Sequence, residues 1–215
     1  MNYHKIKEYL SLYFIMGSVN CRDHNPVNVL KQAIEGGITL FQYREKGEAA
    51  LKGREKYHLA EELQKICADA KIPFIVNDDV ELAIELEADG IHVGQDDEAA
   101  RFVRGRMKNK ILGVSAHTID EAHQAIYDGA DYLGIGPIFP TSSKADAKKA
   151  QGPELIKHFR NQEINIPLVG IGGITSANAQ EVIETGADGV SVISAIAGAK
   201  DIRKATEEFK IKFRS

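Results

Sequence analysis

Short apolar runs recur along the whole chain, at Leu12–Gly17, Ile38–Arg44, Pro73–Asn77, Gly90–Gly94, Ile111–Ser115, Tyr132–Ile138, Ile166–Ile171 and Gly189–Ile193. They are rich in Val and Ile and mostly closed by polar residues or glycine, which suits parallel strands buried on both faces. Between them lie stretches with helical spacing, such as Ala49–Ala70 and Asp120–Gly129, carrying Leu, Ile and Ala against Glu, Lys and Gln. A further helix is expected to begin near Ser176. A short repeat marks the junctions. Ala88-Asp89-Gly90, Ala130-Asp131-Tyr132 and Ala187-Asp188-Gly189 each close a helical stretch just before an apolar run.

Eight such units predict a single-domain closed (β/α)8 TIM barrel over residues 1–215. The competing architecture is a doubly wound open sheet. It is disfavoured because no Gly-x-Gly-x-x-Gly turn follows the first apolar run.

Composition narrows the classes of function. Hydrophobic residues make up 43% and charged residues 27%, enough for a sizeable core. The net charge of -4, from 27 basic and 31 acidic residues, predicts no bulk attraction to nucleic acid or to an anionic membrane. The early apolar run Leu12–Met16 is far short of a bilayer span, and no signal-peptide pattern precedes it. Cys21 and Cys67 have neither metal-ligand spacing nor the look of a disulfide framework. A soluble protein of a reducing cytoplasm is expected, and its oligomeric state, homo-oligomer included, stays open.

In a barrel, chemistry gathers at the C-terminal ends of the strands, and polar residues do cluster at the ends of these runs. The second run closes as Phe41-Gln42-Tyr43-Arg44-Glu45-Lys46-Gly47, where a period of two puts Gln42, Arg44 and Lys46 on one side. Asn77-Asp78-Asp79 ends the third run, and Asp96 and Asp97 follow the fourth. Carboxylates from adjacent strand ends suit a hard cation such as Mg2+, commonly shared with substrate phosphates. Asp78 and Asp97 could equally cap the following helices. Ser115 ends the fifth run as a donor to a ligand; no Gly-x-Ser-x-Gly elbow makes it a nucleophile. His92 and His117 are read as supporting residues, Asp120 as a helix opener, and Lys148 and Lys149 as solvated. After the sixth run, Thr141-Ser142-Ser143-Lys144 begins a polar loop extending through Gln151-Gly152, expected to be mobile over the mouth. The seventh run ends Gly170-Ile171-Gly172-Gly173 and the eighth Val192-Ile193-Ser194, a pattern suited to a phosphate cradle after strands seven and eight.

The strings FQYREKG, VNDD, HVGQDD, GVSAHT, GPIFPTSSK, GIGGIT and SVISAI, in that order and spread over nearly all of the barrel, resemble the motif series of thiamine phosphate synthases. The resemblance implies a transferase that joins 4-amino-5-hydroxymethyl-2-methylpyrimidine diphosphate to 4-methyl-5-(2-phosphoethyl)thiazole, or to its carboxylated precursor. Thiamine phosphate and pyrophosphate would result. By that similarity Gln42, Tyr43, Arg44, Glu45, Lys46, Asn77, Ser115 and Lys144 receive the pyrimidine diphosphate, with Arg44, Lys46, Ser115 and Lys144 catalytic. Thr141, Ser142, Ser143, Gly173, Ile193 and Ser194 hold the thiazole phosphate, and Asp78 and Asp97 bind Mg2+. Ser142 and Ser143 depart from the family, which often has a larger residue and a threonine there. Ala145 stands where a second lysine is common. The nearest alternative is a thiazole tautomerase of the related barrel subgroup, which would need a proton-transferring residue and no metal. A non-catalytic sensor of thiamine precursors and a phosphosugar isomerase are more distant rivals.

Overall fold

The structure, a computed structural model, describes residues 2–22, 24–143 and 149–212. Eight parallel strands close into a barrel in chain order: β1 (Leu12–Met16), β2 (Leu40–Tyr43), β3 (Phe74–Asn77), β4 (Gly90–Val93), β5 (Ile111–Ala116), β6 (Tyr132–Ile135), β7 (Leu168–Ile171) and β8 (Gly189–Val192). The helices are α1 (Tyr3–Leu10), α2 (Pro26–Gly36), α3 (Gly53–Asp69), α4 (Val80–Glu85), α5 (Ala100–Arg106), α6 (Ile119–Tyr127), α7 (Glu154–Asn161), α8 (Ala179–Glu184), α9 (Ser194–Ala197) and α10 (Ile202–Lys212). The expected (β/α)8 architecture is therefore the observed one.

The alternation of side chains along each strand divides the core into two layers. Tyr13, Ile15, Leu40, Ile75, Ile111, Tyr132, Val169 and Ile193 fill the barrel, joined by Ile6 and Leu10 of α1, which packs on β1, β7 and β8. Phe14, Phe41, Tyr43, Phe74, Ile91 and Val190 face outward and meet Leu30, Leu63, Ala83 and Val182 of the helices. Full burial of each large apolar side chain contributes about 1.5–3 kcal/mol.

Local chemistry sets the helix boundaries. Asn25 accepts from the N–H groups of Val27 and Asn28, and Pro26 opens α2 with its fixed φ. A Cβ on Gly36 would overlap Thr206, so that glycine lets α10 lie directly on α2. The helix expected from Ala49 starts at Gly53, because Leu51 N–H donates to Glu45 Oε1 at 3.0 Å. The helix expected near Ser176 starts at Ala179. Thr175 N–H donates to Asn178 Oδ1 at 2.8 Å, and Asn178 N–H folds back to Thr175 O, which makes a tight turn first.

The Ala-Asp repeat acquires a physical explanation at the N-terminal face of the barrel. Asp89, Asp131 and Asp188 precede β4, β6 and β8, and each accepts from an N–H at the start of the preceding strand: Phe74 at 2.8 Å, Leu112 at 2.9 Å and Leu168 at 2.8 Å. Arg104 Nη2 reaches Asp131 at 2.6 Å and Arg160 Nη2 reaches Asp188 at 2.7 Å, while each guanidinium also donates to nearby backbone carbonyls. Among the described residues no helix is long and apolar enough to cross a membrane.

Candidate active site at the mouth of the barrel

The C-terminal ends of the strands enclose a cavity of about 470 Å3. Its walls hold most of the residues singled out in the sequence. Arg44, Lys46, Asn77, Asp78, Asp97 and Ser115 line one side; Thr141, Ser142, Ser143, Gly173, Ile193 and Ser194 line the other. Lys144, Ala145 and Lys148 lie outside the described residues.

The segment after β2 divides as the strand period dictates, and of its five expected residues Arg44 and Lys46 line this cavity. Arg44 is buried and faces the cavity, and Lys46 reaches Asp78 Oδ2 at 3.0 Å. Gln42 points inward but lies beneath the mouth, where Nε2 donates to Tyr13 OH. Tyr43 points the other way, into the layer between strands and helices, and its hydroxyl donates to Lys56 O at 3.1 Å. Glu45 is taken up by Ser18 and Leu51: it accepts from Ser18 N–H at 2.8 Å, from Ser18 Oγ at 2.5 Å and from Leu51 N–H. Tyr43 and Glu45 thus pin the strand end without lining this cavity.

The acidic residues also separate. Asp79 caps α4 by accepting from Leu82 N–H at 3.0 Å and pairs with Lys56 at 2.6 Å. That leaves Asp78 available to the mouth. Its φ of +61° turns the chain at the end of β3, and its N–H donates to His92 O at 2.9 Å. Asp97 does not cap α5, whose N-cap is Ala99; its Oδ2 accepts from Gly94 N–H at 2.7 Å. Burial raises the pKa of Asp78, the facing Asp97 carboxylate raises it further, and Lys46 opposes both. Two carboxylates held against each other in this way invite a cation, and an all-oxygen pair is the donor set of a hard ion such as Mg2+. No cluster of three or more acidic, histidine or cysteine ligands exists among the described residues. An ion here would complete its shell with water or substrate oxygens.

On the opposite wall, Gly172 and Gly173 have φ of +98° and +63°. A Cβ on Gly173 would stand 2.5 Å from Pro140 O and 2.8 Å from Phe139 Cβ, so the turn after β7 packs tightly under the loop after β6. Ser143 Oγ donates to Ser194 Oγ at 3.0 Å, which joins that loop to the start of α9 after β8.

Gln95 and Ser191 were not singled out in the sequence, whereas His92 and His117, read there as supporting residues, also line the wall. Gln95 Nε2 donates to Ser115 O at 2.6 Å and also lines the cavity. His92 Nε2 lies 2.9 Å from Ser115 Oγ, and His117 Nδ1 meets Gly136 O at 2.7 Å. Ser191 is buried and lines the cavity with no partner for its hydroxyl among the described residues. Its signal in the sequence was slight: one hydroxyl within the apolar string Val190-Ser191-Val192.

Fold and cavity together define a (β/α)8 barrel enzyme of the kind that works at the C-terminal ends of its strands. The chain belongs to the thiamine monophosphate synthase family, whose model matches residues 12–196. It is 60% identical over 204 residues to the thiamine-phosphate synthase of Bacillus cereus (strain AH820), covering 95% of this chain and 93% of that one. To the thiamine-phosphate synthase of Geobacillus thermodenitrificans (strain NG80-2) it is 60% identical over 201 residues, covering 94% and 90%. Among solved structures, the thiamine phosphate pyrophosphorylase from Pyrococcus furiosus superposes with a TM-score of 0.86 at 36% identity, over 96% of each chain.

Proposed function

We propose that the chain condenses a pyrimidinylmethyl diphosphate with a thiazole phosphate to give thiamine phosphate and pyrophosphate. One observation carries this reading: a single cavity holds a cationic and carboxylate wall facing a glycine and hydroxyl wall. The two walls suit the two phosphorylated substrates.

Departure of pyrophosphate leaves a methylene cation that the 4-amino group of the pyrimidine stabilises by electron donation. Negative charge grows on the leaving group. Arg44 and Lys46 offset it with fixed positive charge, while Asn77 and Ser115 offer hydrogen-bond donors. Asp78 and Asp97 would hold a magnesium ion, which would add a divalent charge beside the diphosphate oxygens. Lys46, paired with Asp78 in this structure, is positioned to serve the same oxygens. Gly173, Ser194 and the hydroxyls of Thr141 to Ser143 would grip the thiazole phosphate. The thiazole nitrogen attacks with its own lone pair, so no side chain has to remove a proton from it. Tyr43 and Glu45 support the strand end that carries Arg44 and Lys46.

The test mixes both precursors with the protein, with and without magnesium, and measures thiamine phosphate after oxidation to its fluorescent thiochrome form. Product only in the presence of a divalent ion is expected. Isomerisation of a thiazole carboxylate with no product would instead favour the tautomerase.

A further inference from the structure

Below the mouth, five polar side chains form a continuous hydrogen-bonded chain through the barrel interior. Gln42 Nε2 meets Tyr13 OH at 2.5 Å, Tyr13 OH meets Tyr132 OH at 2.8 Å, and Tyr132 OH meets His92 Nδ1 at 3.0 Å. His92 Nε2 then meets Ser115 Oγ at 2.9 Å. Gln42, Tyr13, Tyr132 and His92 are all buried. The barrel makes room for them: a Cβ on Gly113 would overlap the Tyr132 hydroxyl and stand 2.5 Å from His92 Nδ1. The Tyr13 and Tyr132 rings meet edge to face at 6.0 Å, and those of His92 and Tyr132 lie 5.5 Å apart.

Proton counting gives this chain a direction. An amide nitrogen only donates, so the Tyr13 oxygen accepts from Gln42; of the two directions open to the Tyr13–Tyr132 bond, only donation by Tyr13 gives its own buried proton a partner. Tyr132 in turn has one proton, which goes to His92 Nδ1. The imidazole is then neutral with its proton on Nε2, and that proton is given to Ser115 Oγ. Ser115 Oγ already accepts, so its hydroxyl proton is left to donate into the cavity. Burial raises the pKa of both tyrosines, which keeps each phenol protonated and the count intact.

We infer that His92 is a positioning residue: the chain from Gln42 through Tyr13 and Tyr132 fixes its tautomer and thereby commits the Ser115 hydroxyl as a donor toward the ligand in the cavity. The kinetic part of this inference rests on the reaction proposed above, whereas the tautomer does not. A donor fixed in advance costs no reorganisation when charge develops on the departing diphosphate. His92 therefore acts through Ser115.

The tautomer is read by nitrogen-15 NMR of the full-length labelled protein, with His92→Gln identifying the His92 signals. The expected spectrum has an unprotonated Nδ1 and a protonated Nε2; a proton on Nδ1 would overturn the inference. The second arm is a cycle of Tyr132→Phe and Ser115→Ala. Tyr132→Phe keeps the ring and is expected to lower kcat about tenfold, with both KM values within about twofold of wild type. In the Ser115→Ala background the same change is expected to cost less than about twofold, because the hydroxyl it orients is gone. Equal losses in the two backgrounds would mean that Tyr132 only supports the fold, and would also overturn the inference. Should Tyr132→Phe fail to fold, Tyr13→Phe interrupts the chain one link earlier, and the same non-additivity is expected. If the wild type makes no thiamine phosphate, the assigned reaction fails, yet the NMR arm still decides the chain.

Discussion

Replacing Asp188 with alanine should destabilise the barrel without touching its chemistry. Its carboxylate, with 13% of the side chain exposed, accepts from Leu168 N–H at 2.8 Å, Arg160 Nη2 at 2.7 Å and Lys7 Nζ at 2.9 Å. Losing it orphans the buried Leu168 N–H, at a cost of about 1–3 kcal/mol. Arg160 keeps Gly186, Ile164 and Ile166 carbonyls as partners, and Lys7 is half exposed, so the ion pairs add less than about 1 kcal/mol together. The expected total is about 1–4 kcal/mol, centred on about 2–3. For a chain of this size the central value lowers Tm by about 4–12 °C. Asp131→Ala should match it, since Asp131 makes the equivalent bonds to Leu112 and Arg104. Asp89→Ala should cost less, because no arginine partners Asp89 among the described residues. Thermal melts followed by circular dichroism measure all three, and kcat at 25 °C should stay within about twofold of wild type because these residues sit at the face opposite the cavity. A Tm within about 2 °C of wild type for Asp188→Ala, or a loss for Asp89→Ala as large as the others, would rule out these roles for the carboxylates and their arginines.

Other outcomes follow from the mouth itself. Asp78→Ala should reduce kcat at least about tenfold, about 1.4 kcal/mol of barrier, in a steady-state assay. Asp79→Ala, one residue along, should remove a helix cap worth about 1 kcal/mol and lower Tm by about 2–4 °C while leaving turnover largely intact; the reverse pattern would exchange the roles given to the two aspartates. Lys46→Met should lower kcat/KM for the pyrimidine diphosphate at least about tenfold, with KM for the thiazole phosphate little changed. Gly173→Ala forces a side chain into a left-handed turn against Pro140 and Phe139, and should raise KM for the thiazole phosphate about tenfold or more while sparing the other substrate.

The barrel was legible because its strands announce themselves as apolar runs, and β4, β6 and β8 a second time through the Ala-Asp junctions that prepare them. The inward placement of Arg44 followed from a period of two alone. Tyr43 and Glu45 were harder, since membership in a motif does not say which way a side chain points. Tyr43 sits one residue off the inward register, and Glu45 is claimed by Ser18 and Leu51, segments distant or looped in sequence. The choice between capping and the mouth for Asp78 could be settled only in three dimensions, because Asp79 competes for the same helix end and takes it. The chain beneath the mouth was invisible for a related reason. Tyr13 and Tyr132 read as apolar core within their strands, and their hydroxyls meet only when β1 and β6 face each other across the closed barrel.

Metal-dependent coupling of the two substrates is tested by following pyrophosphate and thiamine phosphate together, in wild type and in the Asp78→Ala/Asp97→Ala double variant. It predicts equal amounts of both products, formed by wild type with magnesium and suppressed by chelation or by the double substitution. Undiminished turnover of the double variant in chelator would contradict it, as would pyrophosphate released without any coupled product.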